Sequence, residues 1–126
     1  MPAFSPWHIL PLFVATAHAV GGLFPFWDPV WAIREFGLPQ RIAVSQPAHQ
    51  AFVINGSRST IIGVIIWVLY LQDNLGAVDM IMSLMIYAGA VDCYICWQEG
   101  VKGMGIFRGM SGLVIGGWGL LGLSQR

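Results

Sequence analysis

Four apolar stretches divide the chain, and few charged residues interrupt them. They cover residues 6–24, 51–71, 76–97 and 103–123, and each is close to the roughly 20 residues that a helix needs to cross a membrane. In lipid, only α-helices and closed β-barrels satisfy the hydrogen bonds of the backbone. None of the four stretches has the alternation of apolar and polar positions that is typical of barrel strands. The pattern therefore predicts an all-α fold, a bundle of four transmembrane helices that forms one membrane-embedded domain over residues 1–126.

The longest connection in this pattern, residues 25–50, joins the first two apolar stretches. We expect a long loop or an interfacial helix here, because a compact bundle needs a shorter link. Pro29–Phe36 is a candidate for a short amphipathic helix, with Asp28 as its N-cap and proline at its first position. The remaining two connections are short, so the last three predicted helices run antiparallel to their neighbours.

The fourth stretch repeats glycine at steps of three and four residues. This spacing predicts a glycine face along one side of the helix, and small faces let membrane helices approach closely. The partner is either another helix of the same chain or a second copy, so a homo-oligomer through this face stays open. The glycines are Gly105, Gly109, Gly112, Gly116 and Gly119.

Composition agrees with a membrane protein. Of the 126 residues, 56% are hydrophobic and only 10% are charged, and the mean hydropathy is +0.69, outside the range of ordinary soluble domains. The six basic and six acidic residues cancel, so charge offers no argument for a nucleic-acid partner. The lipid bilayer is the expected partner, and an integral protein of the endoplasmic reticulum the expected localisation.

The distribution of basic residues predicts an orientation. Arg34, Arg41 and Lys102 fall on one predicted side of the membrane, whereas the opposite side has Arg126 and the acidic Asp73 and Asp79. By the positive-inside rule, the first side faces the cytoplasm.

Arg58 lies close to the start of the second apolar stretch. A helix that began after it would span only about 20 Å at 1.5 Å per residue, short of the roughly 30 Å hydrocarbon core. The helix therefore begins earlier, near Ala51, and Arg58 lies about two turns inside it, where an ionisable side chain needs a partner. Asp92, in the third stretch, is the predicted partner.

Alternating helix directions bring the polar residues toward one half of the membrane. The end of the first helix, the start of the second, the end of the third and the start of the fourth meet there, and we expect a polar chamber on the cytoplasmic side. A cluster of carboxylate, guanidinium, amide and imidazole groups can perform acid-base chemistry or anchor a polar ligand head. The candidate catalytic residues are Asp92, Arg58, His18, Glu35 and Glu99. The candidate substrate-binding residues are Asn55, Arg108, Trp27, Trp31, Tyr94 and Trp97. Neither a histidine pair at helical spacing nor a Cys/His cluster is present, so we expect no metal and no cofactor.

Three features together resemble a known family: Gly56-Ser-Arg58 at the opening of an apolar helix, Asp92 late in the next helix, and a glycine-rich last helix. They are similar to a family of small fungal four-helix membrane proteins catalogued mainly as a domain of unknown function. The resemblance covers residues 36–123. Arg108 stands where the resemblance would place a histidine. Members occur beside natural-product genes, which implies an enzyme that acts on a lipophilic polyketide or terpenoid.

The leading hypothesis is a membrane-embedded enzyme that transfers protons without a redox cofactor, in a cyclisation, an isomerisation or an epoxide opening. A carboxylate is the general acid or base, and Arg58 keeps it ionised or stabilises an oxyanion. One alternative is a non-catalytic assembly or ligand-binding subunit, in which the same charged pair fixes helix register. Another is a quinone-coupled thiol oxidoreductase of the vitamin K epoxide reductase kind, since Cys93 and Cys96 form a Cys-x-x-Cys pair. That family's additional loop cysteines have no counterpart here.

Overall fold

The fold is entirely helical over the part of the chain described, residues 3–126 of a computed structural model. No strand occurs within this range, as predicted. Three single-turn 3-10 segments flank the helices, at Pro6–His8, Phe24–Phe26 and Leu123–Gln125. The helices are α1 (Ile9–Gly21), α2 (Pro29–Phe36), α3 (Gln40–Ala43), α4 (Gln46–Leu71), α5 (Leu75–Gln98) and α6 (Lys102–Leu120).

Three segments of the described chain are long and apolar enough to cross a membrane. They are Pro6–Phe26, which contains α1, and the helices Gln46–Leu71 and Leu75–Gln98. The length and composition of these segments indicate an integral membrane protein. The fourth predicted stretch is also helical, as α6, but its many glycines lower its hydropathy and it is not among the three.

The long helices pack as two pairs, α1 on α4 and α5 on α6. Small residues allow both contacts. A Cβ atom on Gly22 or Gly56 would clash with the backbone of the other residue, and one on Gly112 would lie 2.8 Å from the Gly89 Cα. The backbones of each pair are therefore in direct contact, which larger side chains would prevent.

The predicted glycine face of the last helix is confirmed, and its partner is α5 of the same chain. Gly105, Gly112, Gly116 and Gly119 are all buried, and a Cβ atom on each would meet atoms of α5. Of the two partners left open for this face, the structure has the helix of the same chain, and α5 covers the face.

The second long helix begins earlier than predicted, at Gln46 rather than near Ala51. The polar residues 45–50 concealed this start, although Pro47 suits the first turn of a helix. Arg58 consequently lies twelve residues after the first residue, about 18 Å along the helix at 1.5 Å per residue.

The connection between α1 and α4 is mostly helical, and not the long open loop that was one expectation. The predicted helix Pro29–Phe36 is present, and the Trp31 backbone N–H donates to Asp28 Oδ1 at 3.0 Å. Gly37 ends this helix with a φ of +117°, a conformation that glycine adopts without strain. The expectation of a helix in this connection is therefore confirmed.

A buried core joins α1, α4 and α5 in one half of the molecule. Its members are Val14, Ala15, Ile66, Tyr70, Val78 and Met82. They come from the middle of α1, the end of α4 and the start of α5. The opposite ends of these helices contribute nothing to this core, and several of the predicted site residues lie there.

The core half also contains a polar cluster that the sequence did not suggest. We call it the His8 network: His8, Tyr70, Asp79 and Ser124, each no more than 3% exposed. His8 Nε2 lies 3.0 Å from the Ser124 carbonyl oxygen and His8 Nδ1 lies 3.1 Å from the Tyr70 hydroxyl. Because a carbonyl only accepts, Nε2 carries the proton and Nδ1 accepts from Tyr70.

Asp79 completes the His8 network from α5. Its Oδ1 accepts from the Ser124 backbone N–H and its Oδ2 from the Gln125 side-chain amide, both at 3.1 Å. The network thus ties both helix pairs together at one end of the molecule. Polar groups are therefore buried in this half as well as in the half that holds the predicted site residues.

We expect His8→Ala to destabilise the fold, because it leaves the buried Tyr70 hydroxyl and Ser124 carbonyl without their partner. The loss in free energy of unfolding should be about 1–3 kcal/mol, measured by thermal unfolding in detergent. His49→Ala is the matched control, since His49 is only partly buried and bonds one carbonyl, that of Ala43. Equal stability of the His8 and His49 variants would contradict a structural role for the His8 network.

Candidate functional site

A cavity of about 460 Å³ lies in the half of the molecule opposite the His8 network. We call it the central cavity. The end of α1, the start of α4, the end of α5 and the start of α6 form its walls, and α2 contributes Ala32, Glu35 and Phe36. The helices α1, α4 and α5 thus pack together in the core half of the molecule, and they surround the central cavity in the other half.

Six of the predicted site residues line the central cavity, and they come from five helices. Two guanidinium groups, two carboxyl groups, one imidazole and one amide share this space, so its formal charge is close to zero. The six residues are His18, Glu35, Asn55, Arg58, Asp92 and Arg108.

His18 is held in a defined orientation at the end of α1. Its Nδ1 lies 2.9 Å from the Val14 carbonyl oxygen, and since a carbonyl only accepts, Nδ1 must carry the proton. In the neutral ring, Nε2 therefore keeps its lone pair and can accept a proton. His18 has the arrangement that a general base requires, with one nitrogen fixed and the other free.

The predicted ion pair between Arg58 and Asp92 is not formed. Within residues 3–126 the structure has one ion pair, which joins Arg41 and Glu99. The charged groups that act electrostatically on the Asp92 carboxylate are those of Arg108 and His18. The physical reason is that the central cavity separates α4 from α5 at this level, while their main contact is in the core half.

Arg58 has no hydrogen bond or ion pair to any described residue. Arg58 is exposed, and it lines the central cavity. A guanidinium at membrane depth without a protein partner is energetically unfavourable unless water or an anionic group reaches it. The Arg58 guanidinium is therefore available to a ligand that enters the central cavity.

Arg108 has a structural contact that the sequence did not reveal. Its Nε and Nη2 donate to the Phe36 carbonyl oxygen at 3.3 and 2.9 Å, and its guanidinium lies 4.1 Å from the centre of the Phe36 ring. Arg108 therefore fixes the end of α2 over the central cavity. This contact occupies the guanidinium that we expected to bind substrate.

Glu99 does not line the central cavity. It follows the last residue of α5 as its C-cap and pairs with Arg41 of α3. Glu99 follows Asp92 by seven residues, about two helical turns, and the cavity ends before it. Glu99 joins α3 to α5 instead of facing the site.

The aromatic residues that line the central cavity are not the ones that the sequence predicted. Trp27, Trp31, Tyr94 and Trp97 are outside the cavity wall, and their exposed fractions range from 45% to 75%. Such outward-facing rings are typical of membrane proteins at the lipid interface. The aromatic residues in the wall are Phe24, Phe36 and Phe52. No periodicity marked them, because they come from three separate segments that only the tertiary fold brings together.

Cys93 and Cys96 face α6 and lie away from the central cavity. Both are free thiols, and a Cβ atom on Gly109 would lie 3.4 Å from the Cys93 sulfur. This packing corresponds to small residues at a close helix contact. It does not favour the thiol oxidoreductase alternative, because the thiols do not reach the site.

Among the described residues, no group of three or more His, Cys, Asp and Glu side chains is placed to hold a metal ion. The central cavity instead contains carboxyl, imidazole and guanidinium groups that come from different helices. These groups can bind a polar ligand head, transfer a proton and stabilise a developing negative charge.

The fold and the cavity define an all-helical integral membrane protein with polar groups enclosed between its helices. A family model described as a domain of unknown function, DUF4267, matches residues 15–122, and the chain belongs to this family. The match confirms the resemblance to a family catalogued in this way, and it begins early enough to include His18. No curated protein and no solved structure shows a significant match.

Proposed function

We propose that this protein is a membrane-embedded enzyme that performs acid-base chemistry on a lipophilic substrate. The observation that carries the proposal is the convergence of His18, Arg58 and Asp92, from three different helices, on one cavity. The substrate we propose is a polyketide or terpenoid, and the reaction is a cyclisation, an isomerisation or an epoxide opening. No redox cofactor takes part in these reactions.

The three residues have distinct roles in this proposal. His18 Nε2 accepts or returns the proton, since Nδ1 is engaged by the Val14 carbonyl. Asp92 is the second acid-base group, and it comes from α5. Arg58 stabilises negative charge that develops on a substrate oxygen, because no described residue forms a hydrogen bond or ion pair that would compete for its guanidinium.

The setting in the membrane belongs to the same proposal. We propose that α6 also spans the bilayer, as a fourth transmembrane helix, and that the central cavity faces the cytoplasmic side of the endoplasmic reticulum. Arg34 and Arg41, in the connection beside the cavity, support this orientation by the positive-inside rule. A fungal natural-product pathway is the proposed context.

A ligand-binding subunit without catalysis is the second candidate. The contact between Arg108 and Phe36 favours it, because a strongly polar cavity residue is used to hold α2 and not to face a substrate. The two candidates differ in one respect: a binding subunit retains its ligand unchanged.

We expect His18→Ala to lower turnover by about 100-fold or more, the usual contribution of a general acid or base. Microsomes that contain equal amounts of the wild type and the variant would be supplied with lipophilic polyketide and terpenoid intermediates, and products followed by mass spectrometry. His49→Ala is the control, since His49 lies outside the cavity wall. Unchanged turnover in His18→Ala would exclude His18 from the reaction, and absence of turnover in the wild type would favour the binding subunit.

A further inference from the structure

An apolar groove of about 400 Å³ runs along the outer face of α1. Its wall consists of Phe13, Thr16, Ala17, Val20, Gly21 and Phe24, which recur at helical spacing on one face. The groove exists because Ala17 and Gly21 are small and lie between two phenylalanines. A Cβ atom on Gly21 would have no heavy atom within 4 Å, so this space is open.

The groove and the central cavity share part of their walls. Ala17, Gly21 and Phe24 line both. A single molecule can therefore occupy the two together, with one part against the apolar face of α1 and another among the polar side chains. Since α1 belongs to a segment apolar enough to cross the membrane, the groove opens toward lipid.

The polar end of this combined site offers one cation to an anionic head group, Arg58, beside the carboxyl groups of Glu35 and Asp92. Arg58 lines the cavity without a hydrogen bond or ion pair to any described residue, and a guanidinium binds a carboxylate through two parallel hydrogen bonds. Asn55, one turn earlier on α4, also lines the cavity and can donate through its amide. The groove follows the face of one helix, so a single apolar chain can lie along it.

We propose that the central cavity and the groove together bind a single-chain carboxylic acid, with its carboxylate on Arg58 and its apolar chain along Phe13–Phe24 of the α1 face. The ligand enters sideways from the bilayer, past Ala17 and Gly21. This inference rests on the proposed function for the polar site and adds the chemical class of the substrate and its route.

The test uses binding and not turnover. The purified full chain in lipid nanodiscs is exposed to a long-chain fatty acid that carries a photoreactive diazirine near the end of its chain, and the cross-linked residues are identified by mass spectrometry. We expect cross-links within residues 13–24. Unlabelled fatty acid should compete, whereas the alcohol of the same length and a diacyl phosphatidic acid should not.

Two variants test the two parts of the proposed binding site. Gly21→Leu blocks the junction and Arg58→Gln removes the cation, and each should reduce cross-linking at least tenfold. Gly117→Leu is the matched control, because Gly117 also has open space around it but lies on α6, outside both cavities. If Gly21→Leu loses helicity by circular dichroism, Ala17→Leu blocks the same junction.

Cross-links outside residues 13–24, equal binding of the alcohol, displacement by phosphatidic acid, or full labelling of Arg58→Gln would each overturn this inference. The experiments distinguish a failure of this inference from a failure of the proposed function. Turnover of a neutral lipophilic substrate without fatty-acid binding would refute only the inference, and fatty-acid binding without any turnover would refute only the enzyme.

Discussion

Asp92→Asn should reduce turnover by at least about 100-fold while the protein remains folded. Asparagine keeps the size of the side chain but can neither take up nor release a proton in the acid-base range, and such groups contribute about 10² to 10⁴ in rate. Asp92 is suited to this test because the structure gives its carboxylate no hydrogen bond or ion pair within the described residues. Removing its charge therefore breaks no contact that holds the fold.

Asp79 provides the matched control for Asp92, since both are aspartates of α5. Asp79 is 3% exposed and accepts two hydrogen bonds from the C-terminal turn. We expect Asp79→Asn to lower thermal stability, because an amide nitrogen replaces one of the two accepting oxygens. It should leave turnover per folded molecule close to that of the wild type. If Asp92→Asn instead unfolds the protein and Asp79→Asn abolishes turnover, the two carboxyl groups have the opposite roles.

Gly112→Leu should produce the largest loss of stability of any substitution considered. An added Cβ on Gly112 would lie 2.8 Å from the Gly89 Cα and 3.2 Å from the Met85 carbonyl oxygen. Both are backbone atoms, so no side chain can rotate away, and α5 and α6 must separate. Overpacking of this kind costs about 1–3 kcal/mol and in some cases more, and a side chain as large as leucine at a backbone contact belongs at the upper end.

Thermal unfolding in detergent measures this effect, with Gly117→Leu as the control. Gly117 is on the same helix and has no heavy atom within 4 Å of an added Cβ. Replacing a helical glycine in open space should leave stability unchanged or raise it slightly, since glycine is a poor helix former. Similar unfolding temperatures for the two variants would show that α5 and α6 are not in contact at Gly112.

Local features of the fold were predictable from the sequence. Pro29–Phe36 forms the expected helix because Asp28 and Pro29 are sufficient signals for a helix start. The glycines of α6 occupy one face because that follows from helical spacing alone. What spacing could not supply was the partner of this face, which is α5 of the same chain.

Features that depend on distances between helices were not predictable. The pairing of Arg58 with Asp92 assumed that α4 and α5 touch along their whole length, but a cavity separates them at that level. The His8 network was missed because residues 8, 70, 79 and 124 are far apart in the sequence and share no helix face. Arg108 was correctly placed in the site, yet its contact with the Phe36 carbonyl depends on how α2 folds back over the cavity.

Incorporation of solvent deuterium is the most direct test of the central claim, that the cavity transfers protons to or from a lipophilic substrate. The wild type and Asp92→Asn, at equal amounts in vesicles prepared in heavy water, would be given the intermediate that is converted, and the product analysed by mass spectrometry. We predict that an isomerised or cyclised product gains carbon-bound deuterium with the wild type and is not formed with Asp92→Asn. Recovery of the intermediate unchanged, or of a product without carbon-bound deuterium that both proteins form equally, would contradict acid-base catalysis in this cavity.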